Sequence, residues 1–452
     1  MEKISFIDLE EKSYRNIWRI SWPLMLSFLT YTLLTTADMF WIGKLGPDKV
    51  AAVAVSGSIY WVLISFEGLV SSGTVAIISR AAGSNDKELL NRGLSVSLLI
   101  SFCLSFLLTL CSIIYAENIL NLFGLTQEVL DSAVLYMRIF FIGILFMITH
   151  SSLFSTFYAL GNSRIPMIIS ISCITLNIVL DPFLIFGWGF FPKMGIMGAA
   201  ISSVFSLFFE FLITINIFFK KIEFKKFKFD MEILISFLKI GIPALVHTLT
   251  RPVTGMIMYR ITALFGTYAI AAFGIGTRII HFIFIYMDGL MIATQTLVGQ
   301  YLGRNETKKA KEISFKTLRI GFIVQLFITI IIFYFADRIV YIFNSTPGVV
   351  VQGEMYLKII LASFLFYPLT SSFGAAHRGS GDTKPLMVSA FVANWLVKIP
   401  FSLILSVKLG MDSSGVWTAI GLSIIVESII ITFFFFRGGW TKYSILEKDP
   451  IR

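Results

Sequence analysis

The heptapeptide ISWPLML, residues 20–26, returns in altered form as IGIPALV at 240–246, with Pro23 and Pro243 in register. Further matches extend outward at an offset of about 220 residues. AAVAVSG (51–57) faces AAFGIGT (271–277), and SRAAGSND (79–86) faces GQYLGRNE (299–306). LGNSRIPM (160–167) faces SGDTKPLM (380–387), and GIMGAA (195–200) faces GVWTAI (415–420). Each match is weak alone, but their shared register marks an internal duplication. Its halves are 1–219 and 234–452, joined by a basic linker at 220–233.

The duplicated material is greasy. Of 452 residues, 56% are hydrophobic and 14% charged, with a mean hydropathy of +0.83. Soluble domains carry about a quarter charged residues, so the chain is read as a polytopic membrane protein. Stretches long enough to cross about 30 Å of hydrocarbon number roughly twelve. They lie near 17–43, 50–78, 90–115, 131–157, 165–188, 196–219, 234–264, 269–298, 313–336, 353–376, 385–408 and 415–436. The offset covers six of them, which predicts an all-α fold of two pseudo-symmetric six-helix bundles. Paired halves of this kind are a transporter architecture.

A formal charge of +10 invites a nucleic-acid reading, but the basic residues cluster at alternate ends of the spans. Lys3, Lys12, Arg15 and Arg19 precede the first span; Lys220, Lys221, Lys225, Lys226 and Lys228 crowd the linker; Arg437, Lys442 and Lys448 follow the last. This positive-inside bias places both termini and the linker in the cytoplasm, with the chain multi-pass in the cell membrane. The bilayer, not nucleic acid, is the expected partner, and the chain is expected to act as a monomer. The polar N-terminus lacks a cleavage site behind a short apolar core, so it does not read as a cleaved signal peptide. Cys103, Cys111 and Cys173 fall inside spans and suggest no disulfide or zinc framework. No phosphate loop, catalytic triad or metal-ligand spacing appears, so neither an enzyme nor an ATP-driven pump is expected.

Two aspartates interrupt the apolar runs: Asp38 in TTADMFWIG (35–43) and Asp181 in LNIVLDPFLIFG (176–187). An acid at a span centre costs about 2.5–3.5 kcal/mol on insertion scales, which makes it a functional candidate. Asp38 lies about five residues from the outer end of its span and Asp181 about seven, so a rise of ~1.5 Å per residue sets them at similar depth. Ser27, Tyr31, Thr35 and Asp38 share a helix face, as do Asn177 and Asp181. The competing reading is that each aspartate only hydrogen-bonds a neighbouring helix. If they meet, two carboxylates in a low-dielectric site cannot both stay ionised unless a cation joins them. With Asn177 Oδ1 and a hydroxyl they could equally replace the shell of Na⁺, so H⁺ and Na⁺ both remain open.

The second half departs here: Asn394 repeats Asn177, but Lys398 stands for Asp181 and Met258 for Asp38. The cation site is therefore expected in the first half alone, with Lys398 paired to a carboxylate or snorkelling. Glu67 and Asp288 occupy nearly equivalent repeat positions. They could line a cleft or bridge to Arg251, Arg260 or Arg278. His247 and His281 read as packing residues, and Met256, Met258, Met287 and Met291 as helix packing or a soft cavity wall.

Together, DMFWIGKLG, AAVAVSG, ALGNSRIPM, LNIVLDPFLIFG, GIMGAAISS, AAFGIGTRI, LVGQYLGRNE and AHRGSGDTKP resemble the MATE (multidrug and toxic compound extrusion) family over nearly the whole chain, and within it the DinF-like branch. The resemblance carries the family's two acids onto Asp38 and Asp181 and its amide onto Asn177. Its nearby tyrosine falls on Tyr136, and its span-six threonine on Ser202 or Ser203. It offers Pro23 as a place where helix one bends. NorM-like members also use carboxylates on spans seven and ten. Here those spans are read as carrying none, with Tyr367 or Pro368 where an acid would fall. The resemblance implies export of cationic, amphiphilic or aromatic compounds against inward H⁺ or Na⁺, without an organic cofactor. A lipid-linked precursor flippase of the same superfamily is the alternative.

Overall fold

The computed structural model describes Leu9 and residues 13–224 and 226–445. Lys3, Lys12, Lys225 and Lys448, counted above among the basic positions, lie outside them. The described chain is helical, with no strand. Eleven stretches are long and apolar enough to cross a membrane, and a pair bent by 47°, Pro347–Phe364 and Tyr367–Ser380, makes a twelfth. This is a multi-pass membrane protein.

The chain divides into two compact units. Of the described residues, the first takes 22–224 and 226–238 and the second 239–445, together with Leu9 and residues 13–21. In the first unit run most of α1 (Ser13–Gly43), then α2 (Pro47–Ile64), α3 (Glu67–Ser84), α4 (Lys87–Ile114), α5 (Ala116–Asn121), α6 (Gln127–Phe140), α7 (Gly143–Ala159), α8 (Arg164–Phe186) and α9 (Ile196–Lys221). In the second are most of α10 (Met231–Ala263), α11 (Thr267–Gly303), α12 (Thr307–Phe343), α13 (Pro347–Phe364), α14 (Tyr367–Ser380), α15 (Lys384–Phe391), α16 (Ile399–Leu403) and α17 (Asp412–Arg437). π-Helical turns at Val392–Lys398 and Ile404–Lys408 flank α16.

The repeat is visible in backbone detail. α3 ends on Asn85 in the left-handed region (φ 58°), and at the equivalent turn after α11 Asn305 has φ 60°. Asparagine tolerates this conformation because its short side chain bonds locally. Asp86 then caps α4, accepting from the backbone N–H groups of Glu88 and Leu89 at 2.9 Å each. The helix starts are exchanged in matching fashion. The first turns of α1 belong to the second unit, where Tyr301 Oη donates to the Leu9 carbonyl at 3.0 Å. The first turns of α10 belong to the first unit, where Phe237 packs onto Gly73 so closely that a Cβ there would meet its ring at 2.8 Å.

In the first unit Val75, Ile78, Leu94, Leu153, Phe157 and Phe218 fill the core between α3, α4, α7 and α9. In the second, Phe273, Tyr356, Phe364 and Trp417 stack among α11, α13 and α17, with Met258 and Met287 buried beside them. Those two methionines are packing residues, whereas Met256 is exposed. The linker after α9 is pinned to α4. Asn91 Nδ2 donates to the Lys226 carbonyl at 2.8 Å, Arg92 pairs with Asp230 at 3.0 Å, and Lys228 pairs with Glu88 at 2.7 Å.

Candidate functional site

α8 carries Asn177 and Asp181 one turn apart and both almost fully buried, at 2% and 1% exposure. Pro182, the next residue, lies inside the helix. Having no N–H, it leaves the Ile178 carbonyl without its usual i+4 donor, beside the carboxylate. From α9, the Ser202 hydroxyl donates to Asp181 Oδ1, with the Ala199 carbonyl at 3.0 Å as its alternative acceptor. From α1, the Asp38 carboxyl faces that of Asp181 within hydrogen-bonding reach. Two carboxylate oxygens cannot bond one another unless a proton or a cation lies between them. Asp38 Oδ1, Asp181 Oδ2 and both polar atoms of Asn177 are buried without a protein hydrogen-bond partner. Three of these four atoms are oxygens, the donor set a proton or a hard monovalent cation requires.

The other expected residues separate. Tyr136 on α6 is buried within electrostatic range of both aspartates, its ring stacked on Phe140 at 5.3 Å. Tyr31 turns its hydroxyl to Tyr60 Oη at 3.3 Å, and Tyr60 donates in turn to Met147 Sδ at 3.1 Å. Thr35 and Ser203 spend their hydroxyls on their own helices, bonding Thr32 O and Ala199 O at 3.0 Å each. Of the two serines, Ser202 is the one that reaches the acids. Glu67 at the start of α3 lies near Tyr31, Tyr60 and Glu210. α1 continues through Pro23 from Ser13 to Gly43, and Pro23 follows the point where the helix passes from one unit to the other.

One glycine makes the α8–α9 contact. A Cβ at Gly198 would lie 2.4 Å from the Leu184 carbonyl oxygen, an impossible approach with backbone on the other side. Gly198→Ala is therefore expected to push α9 off α8 and withdraw Ser202 from Asp181, at a cost of about 1–3 kcal/mol. The unfolding midpoint of the purified protein should fall accordingly. Unaltered stability would contradict the contact.

The MatE family profile matches this chain twice, at residues 23–183 and 243–404. The chain belongs to the MatE family. Its members are transporters rather than enzymes, and the paired match repeats the duplication seen in the helices. This MatE chain is 27% identical over 450 residues to "Probable multidrug resistance protein YoeA" of Bacillus subtilis, covering 96% of this chain and 97% of that protein. It is 26% identical over 452 residues to "Probable multidrug resistance protein NorM" of Thermotoga maritima, covering 97% and 95%. A MOP superfamily transporter from Pyrococcus furiosus has the same fold, with a TM-score of 0.88 at 22% identity over 96% of this chain and 98% of that one.

In the second unit of this MatE chain the equivalent region is strongly basic. Arg251 on α10 bonds Tyr367 Oη at 3.2 Å and lies 3.7 Å from Glu427 of α17. Its guanidinium also sits over the rings of Tyr367 and Phe284, at 5.5 and 5.7 Å. Arg378 Nη2 donates to His247 Nδ1 at 3.0 Å, and His247 Nε2 faces Glu427 Oε1 at 3.4 Å. His247, read as a packing residue, is buried and also links Arg378 to Glu427. Asp288 lies within electrostatic range of Arg251 and Arg378, so it joins this network. Lys398 donates to Asn394 Oδ1 and, at 3.4 Å, to Thr254 Oγ1. Its hydrogen-bond partners are neutral oxygens on its own and a neighbouring helix, rather than a carboxylate. Span ten also carries one acid overlooked in the sequence, Glu354 on α13, bridged to Lys358 at 2.6 Å.

Sequence reading missed Glu210, His150, Arg378 and Glu427. A signal for two of them exists. The offset that pairs Asn177 with Asn394 also pairs Glu210 with Glu427, each a lone acid in the apolar last span of its half.

Proposed function

We propose that this MatE chain is a secondary exporter that exchanges cationic or amphiphilic organic compounds for inward H⁺ or Na⁺ by alternating access. The observation that carries the reading is the facing pair Asp38–Asp181, with unpartnered oxygens and the Asn177 amide beside it. Apart, the two carboxyls would be ordinary helix-packing acids. Together they form a site whose charge depends on what occupies it. A cation neutralises the pair, which allows the site to be enclosed, and release on the other side restores the charge. The names of the relatives YoeA and NorM, both probable multidrug resistance proteins, support drugs as the exported class. We place the chain in the cell membrane with both termini cytoplasmic, on the positive-inside pattern. The acidic pair supports the DinF-like placement and gives no footing to the precursor-flippase alternative.

Tetraphenylphosphonium efflux from liposomes containing the full chain tests this reading, with pH and sodium gradients imposed separately. Accumulation against the organic cation's own gradient under at least one of them is expected. Equilibration at the same rate with and without both gradients would show a passive pathway instead.

A further inference from the structure

Glu210, on α9, is nine-tenths buried, and so is His150 on α7. Glu210 Oε1 accepts from Ser170 Oγ of α8 at 2.6 Å and faces His150 Nε2 at 3.7 Å. The other ring nitrogen, His150 Nδ1, lies 2.7 Å from the Met147 carbonyl. A carbonyl only accepts, so Nδ1 carries hydrogen. A neutral imidazole has a single N–H. A neutral ring would therefore turn a bare Nε2 lone pair toward a carboxylate oxygen, in a buried setting where such opposition is costly. One proton, held on Nε2 or on Oε1, replaces that repulsion with an attraction across the 3.7 Å gap.

The second unit supplies the contrast. Glu427 stands at the equivalent position and also faces a histidine Nε2, but there Arg378 donates to His247 Nδ1 at 3.0 Å. Nδ1 is the acceptor, so a neutral His247 already points an N–H at Glu427. That pair needs no added proton.

We propose that His150 and Glu210 hold an exchangeable proton, a proton site in the first unit separate from Asp38–Asp181. The titratable groups facing it are Glu67 on α3, Tyr158 on α7 and Cys173 on α8. Toward α4, α7 presents Ser152 and Thr149 to Ser97 and Ser105, at 2.6 and 2.9 Å, and none of these titrates. An imidazole nitrogen is a poor ligand for a hard alkali cation. The site therefore takes H⁺ and excludes Na⁺, whichever ion Asp38–Asp181 prefers.

The first arm of the test does not depend on transport. Full-length protein labelled with ¹⁵N-histidine, in lipid nanodiscs, is examined by NMR, with His150→Gln assigning the resonance. Infrared spectra report any protonated Glu210, identified by its loss in Glu210→Gln. A proton on Nε2 of His150, or a Glu210 acid band, is expected. A bare Nε2 together with an ionised Glu210 overturns the proposal.

The second arm, which rests on the export reading, counts protons released when tetraphenylphosphonium binds the detergent-solubilised protein. Both His150→Gln and Glu210→Gln are expected to release fewer than wild type, by about one per bound cation. Equal release from all three would show the proton to be fixed and would overturn exchangeability. Absence of tetraphenylphosphonium binding by wild type would count against the export reading, while the spectroscopic arm still decides the proton site.

Discussion

Asparagine in place of either Asp38 or Asp181 is expected to abolish gradient-driven export while leaving the protein folded. On the proposed reading two like charges share one buried site, so occupancy by a cation is what lets both carboxyls be enclosed. With one asparagine the remaining acid can be protonated, or partnered, independently of the substrate, and the link between cation and cargo is lost. A gradient of about two pH units, or about a hundredfold in sodium, supplies about 2.7 kcal/mol to a one-for-one exchange, a limit of roughly hundredfold accumulation. The substituted proteins should collapse that ratio to about one. Stability is not expected to fall, because asparagine matches the shape of aspartate and removes a repulsion. At position 181 its amide oxygen can still accept from Ser202. Tetraphenylphosphonium accumulation and thermal unfolding, measured on the same preparations, separate the two effects. Normal accumulation in both variants would remove the site assignment.

The architecture was legible because membrane helices and duplications leave long-range marks. Pro23 with Pro243 and Asn85 with Asn305 report the same backbone need twice, and an acid in an apolar run stands out wherever it falls. The register of the last spans was harder. GIMGAA was set against GVWTAI, placing Gly195 opposite Gly415. In the structure Gly195 sits in an open turn with φ 56°, whereas Gly198 and Gly415 both let their helix touch the backbone of the preceding one. The offset has shortened by three residues there, which hid the equivalence of Glu210 and Glu427. Partners such as His247, Arg378 and Glu427 meet only through folding. No spacing along the chain connects them, so the link from Arg378 through His247 to Glu427 leaves no mark in the sequence, and Lys398 reads there as paired to a carboxylate or snorkelling. Ser202 against Ser203 was undecidable for a simpler reason: adjacent helix positions point about 100° apart, and only the placement of α8 selects one.

The basic network of the second unit leads to the other large effect. Glu427 is 6% exposed and is the acid that faces both His247 and Arg251, with Arg378 behind the histidine and Lys398 within electrostatic range. Asp288 is the second acid set among these cations. Glu427→Gln therefore leaves Arg251, Arg378 and Lys398 against Asp288 alone, with Arg378 buried and Arg251 and Lys398 only partly so. Breaking a fully buried ion pair from one side costs about 3–5 kcal/mol, because the stranded charge keeps its desolvation penalty. The Arg251 side chain is 37% exposed, so water screens part of that and about 1–3 kcal/mol is expected here. The corresponding change in the first unit, Glu210→Gln, removes an acid faced by a histidine and a serine, and it should cost less. If uncompensated charge is the cause, taking away a cation as well should restore part of the loss. Arg251→Met keeps the bulk over Tyr367 and Phe284 without the charge, so the double variant should be more stable than Glu427→Gln alone. Unfolding midpoints of wild type, both single variants and the double variant close this cycle. Additive losses would mean that Glu427 stabilises the unit through packing and hydrogen bonding, with Arg251 playing no electrostatic part.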